Sequence, residues 1–217
     1  MKKELTQITI VLLFTIGLFS CTKSTTTSVT PTASVTTTYK DLMADTVLGI
    51  DPNSGMPYSA GNYTYYSIEK NAIIPKTDSA SNKWDLAFMS TRILTNGGTS
   101  GGALGGAFIY TGLFDDLKTI ATDSVFKTDN APVSYAITTG SGKGWYIYDG
   151  MNNLITPTPG RILVIRTASG KYAKLEILSY YKGGVTLLPT ATDAEKLTKQ
   201  RYYTFRFTFQ PNGTKIF

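Results

Sequence analysis

Residues Arg201 to Phe209 read RYYTFRFTF, and this stretch decides the fold. Tyr203, Phe205, Phe207 and Phe209 fall on one side of an extended chain, while Tyr202, Thr204, Arg206 and Thr208 fall on the other. A helix would scatter those aromatics around its circumference, so the pattern is that of a strand in an antiparallel sheet with one buried face.

The same period of two recurs upstream. Asn62 to Lys70 (NYTYYSIEK) and Trp84 to Ser90 (WDLAFMS) read as strands, with Arg92 to Thr95 continuing the latter. Arg161 to Thr167 (RILVIRT) and Lys171 to Tyr181 (KYAKLEILSYY) flank Ala168-Ser169-Gly170, which reads as a hairpin whose three-residue loop places Gly where positive φ is needed. In its second strand Ala173, Leu175 and Ile177 share one face and Lys174 and Glu176 the other. Two short helices are expected. One covers Leu113 to Ala121 (LFDDLKTIA); the other opens at Thr192, where Glu195 has the spacing of a capping box. With 14 Tyr, 10 Phe and 20 Gly, the composition favours strands and tight turns. The fold class is therefore mostly β, a single antiparallel domain with one or two short helices.

That domain spans 39–217, within the size of one folding unit. Before it, Thr22 to Thr38 is almost wholly Thr, Ser and Val. Such a segment cannot bury enough apolar surface to offset chain entropy, and it reads as a tether over 21–38 that reaches about 55 Å when extended. An O-glycosylated stalk is the alternative. Residues 1–20 carry Lys2 and Lys3, an apolar run from Ile8 to Phe19, and Ser20 before Cys21. This resembles the bacterial lipoprotein signal, with Cys21 the lipidated residue. The run falls short of the roughly 20 residues a membrane helix needs. An acylated Cys21 would hold the protein to the bilayer, and Thr22 after it points to the outer membrane, with either leaflet open.

Charge and missing side chains exclude several functions. The net charge is +6 over 217 residues, and loss of 1–20 removes Lys2, Lys3 and Glu4 and leaves +5. The cations are spread along the chain, with no stripe to follow a phosphate backbone, so nucleic acid is not an expected partner. There is no histidine, and Cys21 is the single cysteine. The usual base for Ser or Cys nucleophiles and the commonest metal ligand are thus missing, and no thiol remains for a disulfide or thiolate chemistry. The Gly-rich stretch Asn96 to Ala107 lacks the Lys-Ser/Thr of a P-loop, and Gly140 to Gly144 has a lysine with the wrong glycine spacing. Asp115 and Asp116 are adjacent, and Asp85 lies inside a strand, so no catalytic carboxylate pair is recognisable. No enzyme is expected.

Several landmarks in order resemble the HmuY-like family of bacterial haem-binding lipoproteins. They are Cys21; Trp84-Asp85-Leu86-Ala87; Gly97-Gly98-Thr99-Ser100-Gly101-Gly102 with Gly105-Gly106-Ala107; Gly144-Trp145; Arg166 to Leu175; Tyr180-Tyr181; and Tyr203 to Phe207. The resemblance implies an all-β fold, outer-membrane attachment, and haem held between two axial His or Met side chains and passed to a TonB-dependent receptor. One family ligand follows the strand that begins Gly-Trp. Here that position is matched by Met151, a thioether able to ligate haem iron, with Trp145, Tyr146 and Tyr148 as candidate walls of a flat pocket. Residues 90–143, where the other ligand lies in the family, hold neither His nor Met; Met89 falls in a strand and Met56 far from the motif. The expected function is a cell-envelope ligand-binding module for nutrient uptake, with haem or another porphyrin as ligand. The alternative is a non-haem member binding a glycan, a siderophore or a transporter partner, with Tyr63, Tyr65 and Tyr66 as a sugar-stacking surface.

Overall fold

The computed structural model describes residues 34–217. The segments 1–20 and 21–33, with Cys21, lie outside the described residues. Among the described residues the strands are β1 (Thr36–Met43), β2 (Gly49–Ile50), β3 (Pro57–Tyr58), β4 (Thr64–Ser67), β5 (Ala72–Ile74), β6 (Leu86–Met89), β7 (Arg92–Thr95), β8 (Gly106–Thr111), β9 (Tyr146–Asp149), β10 (Leu154–Pro157), β11 (Arg161–Arg166), β12 (Tyr172–Tyr181) and β13 (Gln200–Gln210). One short helix, α1 (Asp193–Lys199), precedes β13. No described helix is long and apolar enough to cross a membrane.

The aromatic strand is the second of five in the main antiparallel sheet, ordered β1-β13-β12-β11-β8. A second antiparallel sheet, β5-β4-β6-β7, supplies the opposing layer. Tyr203, Phe205 and Phe207 from β13, Leu175 and Ile177 from β12, and Leu163 and Ile165 from β11 form one buried cluster with Tyr66, Leu86, Phe88 and Ile93 of the second sheet. Phe205 is central: it stacks on Phe88 at 5.7 Å between ring centres and meets Tyr66 edge-on at 5.3 Å. Large rings in these geometries contribute beyond their buried area.

The hairpin expected around Gly170 is present. Thr167 N–H donates to Lys171 O at 2.8 Å, and Gly170 sits at φ +86. At α1, Thr192 Oγ1 accepts from Glu195 N–H at 3.2 Å as a cap, but the Glu195 carboxylate turns to Lys199 at 2.8 Å and leaves the box half made.

Four expectations are corrected. Strand β1 starts at Thr36 and pairs Thr36 with Thr208, so the last residues of the stretch read as tether belong to the sheet. Arg92–Thr95 does not continue the preceding strand; Ser90, at φ +50, helps turn the chain so that β7 pairs back on β6.

Residues 113–121 form a turn and a β-bridge rather than a helix. Ile120 N–H donates to Lys215 O and Phe217 N–H to Lys118 O, each at 2.8 Å, while Lys174 Nζ takes the carbonyls of Phe114 (2.7 Å) and Leu117 (2.8 Å). Carbonyls and amides that a helix would pair internally are bonded elsewhere.

That turn also closes the fourth point, the single buried face. Phe114, Leu117 and Ile120 cover Ile162 and Val164 on the far side of the main sheet. Lys174 is buried there at 4% exposure, with Nζ 4.5 Å from the Phe114 ring centre. Burial lowers its pKa.

Candidate functional site

The hairpin β9–β10 carries the residues expected to bind a ligand, and it disperses them. Gly144 must be glycine because an added methyl would overlap the Thr138 carbonyl. It feeds directly into Trp145, which is 2% exposed. The indole donates Nε1–H to Thr91 O at 2.9 Å and packs on Tyr203 at 5.1 Å and Tyr180 at 5.6 Å. Trp145 therefore anchors the hairpin in the core and walls no pocket. Tyr146 packs against the same core, half-buried. Tyr148 and Ile147 face outward on the two-stranded ribbon.

Beyond Tyr148 the chain turns on Asp149. Its Oδ1 accepts from the N–H of Met151 (3.0 Å) and Asn152 (3.3 Å), and its Oδ2 from the Asn152 amide (2.7 Å). These bonds, the Asn152 side chain foremost, hold the Asp149 carboxyl below its ordinary pKa. Met151 stands at this tip, 92% exposed. The structure thus puts the four expected residues on one hairpin and separates them, with Trp145 in the core and Met151 in solvent.

Tyr148 does face a cavity, and its other walls lie far away in sequence. A cleft of about 360 Å³ lies between Met56 and Pro57 of the β2–β3 hairpin, Tyr148 and Ile155 of β9–β10, and Leu197 of α1. Lys196 staples the two sides: Nζ donates to Asn152 O at 2.6 Å and Pro189 O at 2.9 Å, and Asp193 lies 3.8 Å away. Tyr148 O–H donates to Asn153 Oδ1 at 2.9 Å. Met56, itself largely exposed, is placed by the Asp51 turn, where Asp51 N–H donates to Met56 O at 2.9 Å. Two thioethers, Met56 on the cleft wall and Met151 at the hairpin tip, are thus the soft donors of this end. Met89 is half-buried in β6 and takes no part.

A larger recess, about 480 Å³, opens over residues 127–139 around the cis bond Ala131–Pro132. Buried Asp129 ties this segment to β7: its carboxylate accepts from Thr95 N–H (2.9 Å) and Ala136 N–H (2.8 Å). The Gly-rich loop is the seat of this segment and no phosphate cradle. Gly98, at φ +64, lies against the Asp129 backbone, and Thr99 N–H donates to Asp129 O at 2.8 Å.

The tyrosines considered for sugar stacking are committed elsewhere. Tyr66 is fully buried, Tyr65 packs edge-on against Trp84 at 5.0 Å, and Tyr63 belongs to the same small cluster. Asp85 is buried and structural, accepting from Ile68 N–H at 2.7 Å and Ala168 N–H at 2.8 Å. Asp115 is exposed, 3.6 Å from Arg206.

The HmuY protein family matches residues 59–191. That range includes the β9–β10 hairpin and the 127–139 recess, and leaves Met56 and α1 outside. Among solved structures, the chain is similar to a Bacteroides fragilis protein classed as a lipoprotein, at 16% identity, 68% of this chain, 84% of that one and TM-score 0.44. It is similar to the apo HmuY analog of Tannerella forsythia at 16% identity, 82% of this chain, 96% of that one and TM-score 0.43. A Bacteroides vulgatus protein classed as HmuY-like and haem-binding aligns at 13% identity, 76% of this chain, 97% of that one and TM-score 0.44. No curated protein matches the chain.

Proposed function

This chain belongs to the HmuY family, and on that premise we propose that it is a cell-envelope lipoprotein, acylated at Cys21, whose β domain captures a porphyrin-type ligand for uptake. The observation that carries the reading is the cleft between the β2–β3 and β9–β10 hairpins. Met56, Pro57, Tyr148, Ile155 and Leu197 give it apolar walls, and its volume of about 360 Å³ suits partial insertion of a flat ring system. Haem iron, when bound, would be held by thioether sulfur in place of the histidine that the chain lacks, with Met56 on the cleft wall and Met151 at the hairpin tip as the proposed donors. Sulfur is a soft ligand that favours the reduced state of haem. The lipid bilayer, through Cys21, and a TonB-dependent receptor are the proposed partners, and the outer membrane the proposed location.

Titration with haemin, oxidised and dithionite-reduced, tests the reading. The expected result is a sharp low-spin Soret band in the reduced state, broadened or lost in Met151→Ala or Met56→Ala. A spectrum that stays that of free haemin in both states, unaltered by either substitution, overturns it.

A further inference from the structure

The recess over 127–139 differs from the cleft in the state of its polar groups. At the cleft, Lys196, Tyr148 and Asn153 spend their hydrogen bonds within the protein. Around the recess stand the hydroxyls of Thr128, Ser134, Tyr135, Thr138 and Thr139 and the ammonium of Lys127. Among the described residues none of these side chains bonds to another protein group, and all but the half-buried Tyr135 are exposed.

The charge is one-sided as well. Asp129, the acid of this segment, is 1% exposed and directed inward to the amides of Thr95 and Ala136. The Arg92 guanidinium lies 5.0 Å from the Tyr135 ring centre and holds that ring in place. Its Nε is buried without a partner.

We infer that this recess binds an anionic pyranose, a sugar carrying one carboxylate or phosphate. Hydroxyls both donate and accept, so a group of uncommitted ones matches a polyhydroxylated ligand better than an apolar one. Lys127 supplies a charge-assisted bond to the anion. Tyr135 supplies an aromatic surface for the apolar face of the ring, and 480 Å³ lies in the range of small-molecule sites. The inference goes beyond the porphyrin reading: it concerns other residues, and the loss of either leaves the other standing.

The test is calorimetric titration of the whole protein with glucuronate, glucose 6-phosphate and glucose. At least one anionic sugar should bind about tenfold more tightly than glucose, the factor that roughly 1.4 kcal/mol of charge assistance gives. Which of the two binds separates carboxylate from phosphate. Lys127→Gln should reduce the anionic sugar to the level of glucose, Tyr135→Ala should weaken both, and Met151→Ala should change neither. Each variant is checked by its melting temperature. Equal binding of the three sugars, no binding of any, or a preference retained in folded Lys127→Gln overturns the inference.

Discussion

Asp85 lies in the Trp84-Asp85-Leu86-Ala87 landmark, and its replacement tests the account of how the two sheets are joined. The residue is 2% exposed. One oxygen accepts from Ile68 N–H at 2.7 Å, at the end of the second sheet, and the other from Ala168 N–H at 2.8 Å, in the hairpin loop of the main sheet. Ser67 Oγ lies 3.4 Å from the first oxygen. Asp85→Ala strands both amides in a region closed to water. Each unsatisfied buried group costs about 1–3 kcal/mol, so the substitution should cost roughly 2–6 kcal/mol out of a total near 5–15. At about 2–4 °C per kcal/mol for a domain of this size, the melting temperature should fall by some 10 °C. Asp85→Asn keeps one acceptor and turns a donor towards the other amide, so it should fall between wild type and alanine.

The assay is urea unfolding followed by Trp84 and Trp145 fluorescence, with midpoint and slope both fitted. The pH dependence gives a second check. Burial raises the Asp85 pKa, and the amides of Ala168 and Ile68 offset part of that rise. With the folded pKa above the unfolded one, the folded state takes up the proton first as pH falls. The advantage of wild type over Asp85→Asn should therefore grow as pH drops from 7 through the folded pKa, and level off below about 3.9. An Asp85→Ala protein within 1 kcal/mol of wild type would refute the reasoning.

Other substitutions probe the scaffold of the two cavities. Gly98→Ala places a methyl against the Asp129 backbone at φ +64. It should cost at least about 2 kcal/mol by urea unfolding, more than the roughly 1–2 kcal/mol of the left-handed conformation allows without overlap. Lys196→Met removes charged donors to Asn152 O and Pro189 O; it should cost about 2 kcal/mol and speed hydrogen exchange at the hairpin tip, 149–153. Thr192→Ala removes the α1 cap and should cost about 1 kcal/mol, which Thr192→Asn restores.

The fold was legible where a side chain's environment follows from its neighbours in sequence. In β13 every second residue is aromatic, and a strand alternates its faces whatever lies across from it. The hairpin at Gly170 was equally local. The failure at 113–121 has a long-range cause. LFDDLKTIA has helical spacing, yet Lys174, some 60 positions on, and the 215–217 segment capture the backbone groups that a helix needs. Lys174 fell on the face opposite Ala173, Leu175 and Ile177, and nothing near it in sequence announces the turn that covers it.

The site was legible only in part, for the same physical reason. Met151 came from the family resemblance, which puts a ligand just after the strand that begins Gly144-Trp145, and Asp149 folds that tip into an exposed loop. Trp145 misled because an indole beside a ligand and an indole in a core have the same sequence signature; only the bond to Thr91 O and the packing on Tyr203 separate them. Met56 and Lys196 flank the cleft from positions about 140 residues apart, joined by no spacing rule. The recess is less visible still. Thr and Ser in a loop ordinarily turn their hydroxyls onto nearby backbone, as Thr99 does towards Ala131 N–H at 2.6 Å. Whether the hydroxyls of Thr128, Ser134, Thr138 and Thr139 do so cannot be read from residue type. They do not, and a group of exposed hydroxyls directed away from the backbone around one recess is a property of the folded chain alone. It is the ground on which the anionic-sugar inference stands, and Lys127→Gln is its sharpest test.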